Sequence, residues 1–257
     1  MKQLFILLLG LFSLTACVQN QQTNNPQTSE KAETGRLQLG SEAGESEATT
    51  DLGLLPKYGD IQKTEQQIAL DNEFIQETLQ QEQFKGDRRA ASDFMFRLGS
   101  DYLQKGDLKK AMYRFNHAYL LDSLNANIYC GYGGVYVAQK KYEQAVNLYM
   151  EGLSINPNNT HLLTDLGTCF LMICQMLLPT NKDKALGNLD LAINYMMKSY
   201  SIDAKDPNTL YKLSVCYLII NDCNNAKRYY EECVILGGDP IPDGYGAYLN
   251  TKCNSGK

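Results

Sequence analysis

The chain has 257 residues, 44% of them hydrophobic, no tryptophan and a formal net charge of −5. That supplies a sizeable apolar core, while the acidic balance without a basic cluster excludes nucleic acid and anionic lipid surfaces as electrostatic partners of the whole. The two histidines, His117 and His161, lack a neighbouring Ser, Cys or acidic constellation, so the reading is not an enzyme, with no metal and no cofactor.

In chain order, residues 1–16 read as a leader: Lys2 precedes the apolar run Leu4-Phe5-Ile6-Leu7-Leu8-Leu9, and Leu14-Thr15-Ala16 closes it. The run is too short to span a bilayer, and its small-residue end suits cleavage. Leu14-Thr15-Ala16-Cys17 resembles the lipobox of bacterial lipoproteins. The resemblance implies cleavage before Cys17, diacylglycerol on its thiol, acylation of the palmitate type and stable membrane attachment. Loss of Lys2 with the leader leaves a formal charge of −6. Val18 follows the anchor, and by analogy with lipoprotein sorting it offers no inner-membrane retention signal, so the expected site is the outer membrane, facing the periplasm.

Residues 17–60 hold the lipidated Cys17 and a linker rich in Gln, Asn, Thr, Ser, Glu and Gly, a composition that cannot offset the entropy of ordering. As a flexible coil it spans about 35 Å. Over 61–85 the stripe Ile61, Ile68, Ile75 and Leu79, with Phe74 beside it, predicts one amphipathic helix that covers the apolar side of the next helical unit as a cap.

Leu98-Gly99 and Ala111 return as Tyr132-Gly133 and Ala145, each 34 residues on, and again as Leu213-Ser214 and Ala226. Such a period is the mark of a tandem helical hairpin array. In the first unit Leu98, Gly99, Tyr102, Ala111, Phe115 and Ala118, and in the second Tyr132, Gly133, Tyr136, Ala145, Tyr149, Gly152 and Pro157, resemble the tetratricopeptide repeat family closely. Small residues let the paired helices approach, and the aromatics fill the space beside them. The resemblance implies an all-α solenoid of about four hairpins over 92–238, in units 92–125, 126–159, 160–206 and 207–240. The third unit begins with Leu166, Gly167 and Phe170, but Gly167 and Ala192 lie 25 residues apart where Gly99 and Ala111 lie 12 apart. Both its helices are therefore read as lengthened, with Pro179-Thr180-Asn181 as the turn. Its added residues Met172, Ile173, Met176, Leu177 and Leu178 are expected to pack on Leu186 and Leu189 rather than form an exposed tip. The tail, 241–257, shows a short helix near Tyr245 to Asn250, weak as a cap.

Seven cysteines follow Cys17. Cys169 and Cys216 share a repeat position and should lie about 8–10 Å apart, beyond disulfide reach; they read as small buried hydrophobes. The candidate bridges are Cys174 with Cys223 and Cys233 with Cys253. His117 is expected to be solvated and His161 to sit at the surface. Asn158-Asn159-Thr160 reads as a turn with a helix cap at Asn159 or Thr160.

In the family, ligands lie against the first helix of each hairpin. The matching positions are Phe96, Ser100, Leu103, Cys130, Gly134, Val137, Thr164, Thr168, Leu171, Tyr211, Val215 and Leu218, a mostly apolar and small lining. The carboxylate clamp of chaperone-partner members is absent, since Phe96, Ser100, Gly131, His161 and Asp165 stand in its places. Gly131, Gly133 and Gly134 each cost about 1 kcal/mol in a helix, so a close approach of backbone or ligand should compensate. The alternative is that the protein's own flanking segments fill the groove. The functional reading is a membrane-anchored interaction adaptor of the cell envelope, taking a hydrophobic or helical segment of an unidentified envelope protein or peptide. The alternative is a surface lipoprotein that captures glycan or peptide solutes.

Overall fold

The computed structural model describes residues 51–254, and all its regular structure is helical. The leader, Cys17, Val18, most of the expected linker and the last three residues lie outside the described residues. Among the described residues ten α-helices succeed one another: α1 (Glu65–Gln80), α2 (Arg88–Gln104), α3 (Leu108–Leu121), α4 (Asn127–Ala138), α5 (Tyr142–Ile155), α6 (Thr160–Leu177), α7 (Lys182–Ile202), α8 (Pro207–Ile219), α9 (Cys223–Ile235) and α10 (Tyr245–Asn254). The pairs α2/α3, α4/α5, α6/α7 and α8/α9 are antiparallel hairpins stacked into a solenoid, with α1 at one end and α10 at the other.

The starts are set locally. Asp87, Asp107, Asn159, Asn181, Asp206 and Asp222 each accept a bond from the backbone two or three residues on, and Thr64 with Gln67 forms a reciprocal capping box on α1. Each such cap is worth about 1 kcal/mol. Within three hairpins the turn uses one geometry: Gly106, Lys140 and Asn221 have φ of 77°, 60° and 59°. The following N–H reaches back five residues, Asp107 to Tyr102, Lys141 to Tyr136 and Asp222 to Tyr217, which closes the helix end in a Schellman motif.

The glycines explain how closely the helices meet. A Cβ on Gly99 would lie 2.5 Å from the Phe115 ring, and one on Gly131 2.4 Å from it; the fully buried ring is thus gripped between α2 and α4. Tyr149 fills the same slot over Gly133, at 2.1 Å. For Gly131 and Gly133 the compensating close approach is therefore the protein's own aromatic packing. The lengthened third hairpin is a seam: Leu171, Cys174, Ala185 and Leu189 are fully buried, with Met172, Leu177, Leu178 and Leu186 packed around them. Met176 alone of the added apolar set points outward, 62% exposed. Although α6 has 18 residues with mean hydropathy 1.2, Leu162, Leu163, Leu166 and Leu171 are buried in the solenoid, which accounts for that composition.

Four expectations are corrected. Residues 51–60 are not part of a featureless linker: they form short 3-10 turns at Leu52–Leu54 and Pro56–Asp60, laid against the array as a strap. The first helix begins at Glu65, so Ile61 lies outside it, and of the expected stripe Phe74, Ile75 and Leu79 pack against the core while Ile61 and Ile68 are exposed, because α1 meets α2 and α3 with its second half. His117 is not solvated. Its ring lies 4.4 Å from that of Phe74, and burial, aided by Arg114, lowers its pKa to about 4. The tail is a docked cap: Tyr245 and Leu249 are buried, the Tyr245 hydroxyl is 2.8 Å from Ser214 Oγ, and a disulfide joins Cys223 to Cys253. Cys174 and Cys233, expected as partners of these two, are buried free thiols like Cys169 and Cys216.

Candidate functional site

The twelve positions assigned to the first-helix face are none of them exposed: nine are buried, and Leu103, Val137 and Thr168 are half-buried. Several turn into packing seams. Phe96 meets the Phe115 ring at 5.7 Å, which points it at the second helix of its own hairpin. Thr164 hydrogen-bonds Ser199 Oγ at 2.9 Å and shares a 2.6 Å contact with Thr209 Oγ1, so it knits α6 to α7 and α8. Tyr211 stands edge-on to Tyr245 at 5.2 Å, under α10. Ser100 and Thr168 turn their hydroxyls back onto the carbonyls of Phe96 and Thr164. Leu171 belongs to the α6/α7 seam, and Cys130, Gly134, Val215 and Leu218 are buried.

Two charged groups are also nearly inaccessible on this side, Asp165 on α6 and Lys212 on α8. Both act on Cys169, whose thiol is pushed up chiefly by burial and also by the Asp165 carboxylate, with the Lys212 ammonium opposing. Burial raises Cys174 and Cys233 to about 11. These thiols are protonated at neutral pH and are poor nucleophiles. Among the described residues no group of three or more His, Cys, Asp or Glu side chains is placed to hold a metal ion.

The best-formed polar site lies elsewhere, where the strap crosses α3, α4 and α5. Asn116, fully buried in the middle of α3, uses its whole amide there. Its Nδ2 donates to the carbonyls of Gly53 and Leu55, each at 2.9 Å. Its Oδ1 accepts from the Lys57 N–H at 2.9 Å and from the Tyr132 hydroxyl at 2.7 Å. The alternate residues 53, 55 and 57 are thus read by main chain alone. Side chains add selectivity: the Asp51 carboxylate accepts from the Tyr113 hydroxyl, and a Cβ on Gly53 would fall 2.1 Å from the Tyr113 ring. Lys57 Nζ bonds Glu151 at 2.8 Å and Asp60 at 2.7 Å. Burial opposes the Lys57 charge, yet the hydrogen bonds that its ammonium donates to Asp60 and Glu151, with the charge of both carboxylates, outweigh it and raise the pKa. Burial and the Asp51 hydrogen bond push Tyr113 up to about 12.

The strap is strained where it returns toward α1. Lys57, Tyr58, Gly59 and Asp60 all have positive φ, at 54°, 56°, 76° and 53°. Left-handed backbone costs a non-glycine residue about 1–2 kcal/mol, and three of these four are non-glycine. Sequence reasoning missed this site because Asn116 sits in a helix between Phe115 and His117 with no pattern around it. The available signal was Gly53, Pro56 and Gly59 spaced through an otherwise polar segment.

Residues 126–159 and 184–206 match the model of the tetratricopeptide repeat family. They correspond to the α4/α5 hairpin and to most of α7 with the turn after it. No curated protein matches the chain. Among solved structures, MamA AMB-1 is 17% identical with a TM-score of 0.41, covering 66% of this chain and 98% of its own. Pseudomonas aeruginosa pilF is 18% identical with a TM-score of 0.33, covering 65% and 89%. YrrB, described as a TPR protein with an unusual peptide-binding site, is 21% identical with a TM-score of 0.29, covering 57% and 87%. The described residues form an all-α solenoid in which two stretches, 126–159 and 184–206, match the tetratricopeptide repeat.

Proposed function

We propose that this chain is an interaction adaptor of the bacterial cell envelope, anchored through lipid on Cys17 and binding a hydrophobic or helical polypeptide segment. The observation that carries the adaptor reading is the repeat match over 126–159, because stacked repeats present an extended surface to other polypeptides. The reachable part of the first-helix face is the half-buried set Leu103, Val137 and Thr168, where apolar contact rather than paired charge supplies affinity. Support for the anchor is Leu14-Thr15-Ala16-Cys17 at the end of an apolar leader, and Val18 supports an outer-membrane, periplasm-facing position.

A photo-crosslinking residue at Leu103, Val137 or Thr168, in cells that carry the full chain, should yield one discrete adduct, whereas the same residue at exposed Gly187 should not. Labelling with an alkyne fatty acid should mark the wild type and not Cys17→Ser. Equal adducts at all positions would refute the face, and undiminished label on Cys17→Ser would refute the anchor.

A further inference from the structure

The strap site has the features of a peptide-recognition site that holds its own chain as ligand. Asn116 reads the strap's main chain, Tyr113 admits only glycine at residue 53, and Glu151 takes the Lys57 ammonium. The hold combines these polar contacts with apolar cover: Gly53 is buried, and Leu52, Leu54, Leu55, Pro56 and Tyr58 are half-buried. Release therefore uncovers apolar surface together with the Asn116 amide, and a reseated strap covers both again. Between the strap and α1, Lys63 pairs with Asp71 and Thr64 caps the helix, so the joint is Ile61 and Gln62, both exposed and outside any helix or turn.

The ligand also bears a handicap specific to binding its own array. To reach α1 the chain must reverse after Leu55, and it does so through the left-handed run Lys57 to Asp60. A strap arriving from another molecule makes the contacts of residues 51–56 and of the Lys57 N–H without a reversal over residues 57–60. From these observations we infer that the cleft formed by Tyr113, Asn116, Tyr132 and Glu151 is an interface between two copies of this chain, each seating the 51–57 segment of the other. Exchange of an identical element is a direct route to a closed two-fold dimer, because every contact made within one copy is remade between copies. The cleft shares no residue with the twelve positions of the first-helix face, so the exchange stands whether or not that face binds anything.

Complementing full-length variants test this. Gly53→Leu spoils the strap and leaves the cleft, since its side chain collides with the Tyr113 ring. Asn116→Leu spoils the cleft and leaves the strap. Should Asn116→Leu lose its fold by circular dichroism, Tyr113→Ala, altered at a side chain with 36% exposure, replaces it. With donor and acceptor dyes on the two variants, a mixture should show saturable energy transfer, while each variant mixed with itself should show at least tenfold less. A short tether supplies an effective concentration in the millimolar range, so a strap that stays docked in cis should bind in trans with a Kd below about 1 mM. No transfer at about 1 mM protein, or equal transfer when one chain carries both substitutions, overturns the proposal.

Discussion

Gly131→Ala sets two effects of known sign against each other. Replacing glycine by alanine inside a helix stabilises by about 1 kcal/mol. Against that, the new Cβ would lie 2.4 to 2.6 Å from three atoms of the Phe115 ring. The ring cannot retreat, because its other side faces Gly99, where a Cβ would fall at 2.5 Å, and Phe96 stands at 5.7 Å between ring centroids. Overpacking of a dense core costs about 1–3 kcal/mol, and a contact this short belongs at the upper end. The net expectation is a loss of about 2 kcal/mol, or roughly 4–8 °C in Tm for a domain of this size. Gly187→Ala is the matched control: that glycine is exposed on α7 with nothing within 4 Å of its Cβ position, so only the gain of about 1 kcal/mol applies. Urea unfolding followed by far-UV circular dichroism reads both, with an unchanged m-value confirming that native stability has moved. Adding Phe115→Leu to Gly131→Ala should recover part of the loss. A neutral or stabilising Gly131→Ala would show that the ring is not gripped and would refute the account of glycine in this repeat.

The pH dependence of stability should carry the mark of His117. Its folded pKa, lowered to about 4 by burial, lies below the unfolded value of about 6.5. The unfolded chain therefore binds the extra proton first as pH falls. Stability contributed by the neutral ring is full above about pH 6.5 and declines by about 3 kcal/mol toward pH 4; His117→Phe should flatten that slope in acid titrations of Tm, and an unchanged slope would refute the burial. At the α4/α5 turn Lys140 adopts φ of 60°, so Lys140→Gly should stabilise by about 1 kcal/mol in chemical denaturation. Cys223 and Cys253 close a loop with a sequence separation of 30, which by chain entropy is worth about 3.5 kcal/mol. A dithiol reductant should lower Tm and expose the α10 amides first to hydrogen exchange, and α10 protection equal to that of α8 in the reduced protein would contradict its role as a stapled cap.

The sequence by itself determined the hairpins. The paired helices came from the 34-residue return of Gly99 and Ala111 as Gly133 and Ala145, the start of α6 from Asn158-Asn159-Thr160, and the lengthened third unit from the spacing between Gly167 and Ala192. These features are local or strictly periodic, so residue type and spacing carry them. What packs on the array's ends and faces was decided only in three dimensions. The strap docks because the single amide of Asn116 finds carbonyls 61 and 63 residues away, and α10 docks because Tyr245 fits over Tyr211 and Ser214. Neither segment has the apolar periodicity that announces a partner. The first-helix face shows the same division: repeat phase selects which residues it carries, but Thr164 turning toward Ser199 and Tyr211 lying beneath α10 depend on neighbours distant in sequence. Periodicity encodes the direction in which a helix faces, whereas what covers that face is a property of contacts made only when the whole chain has folded.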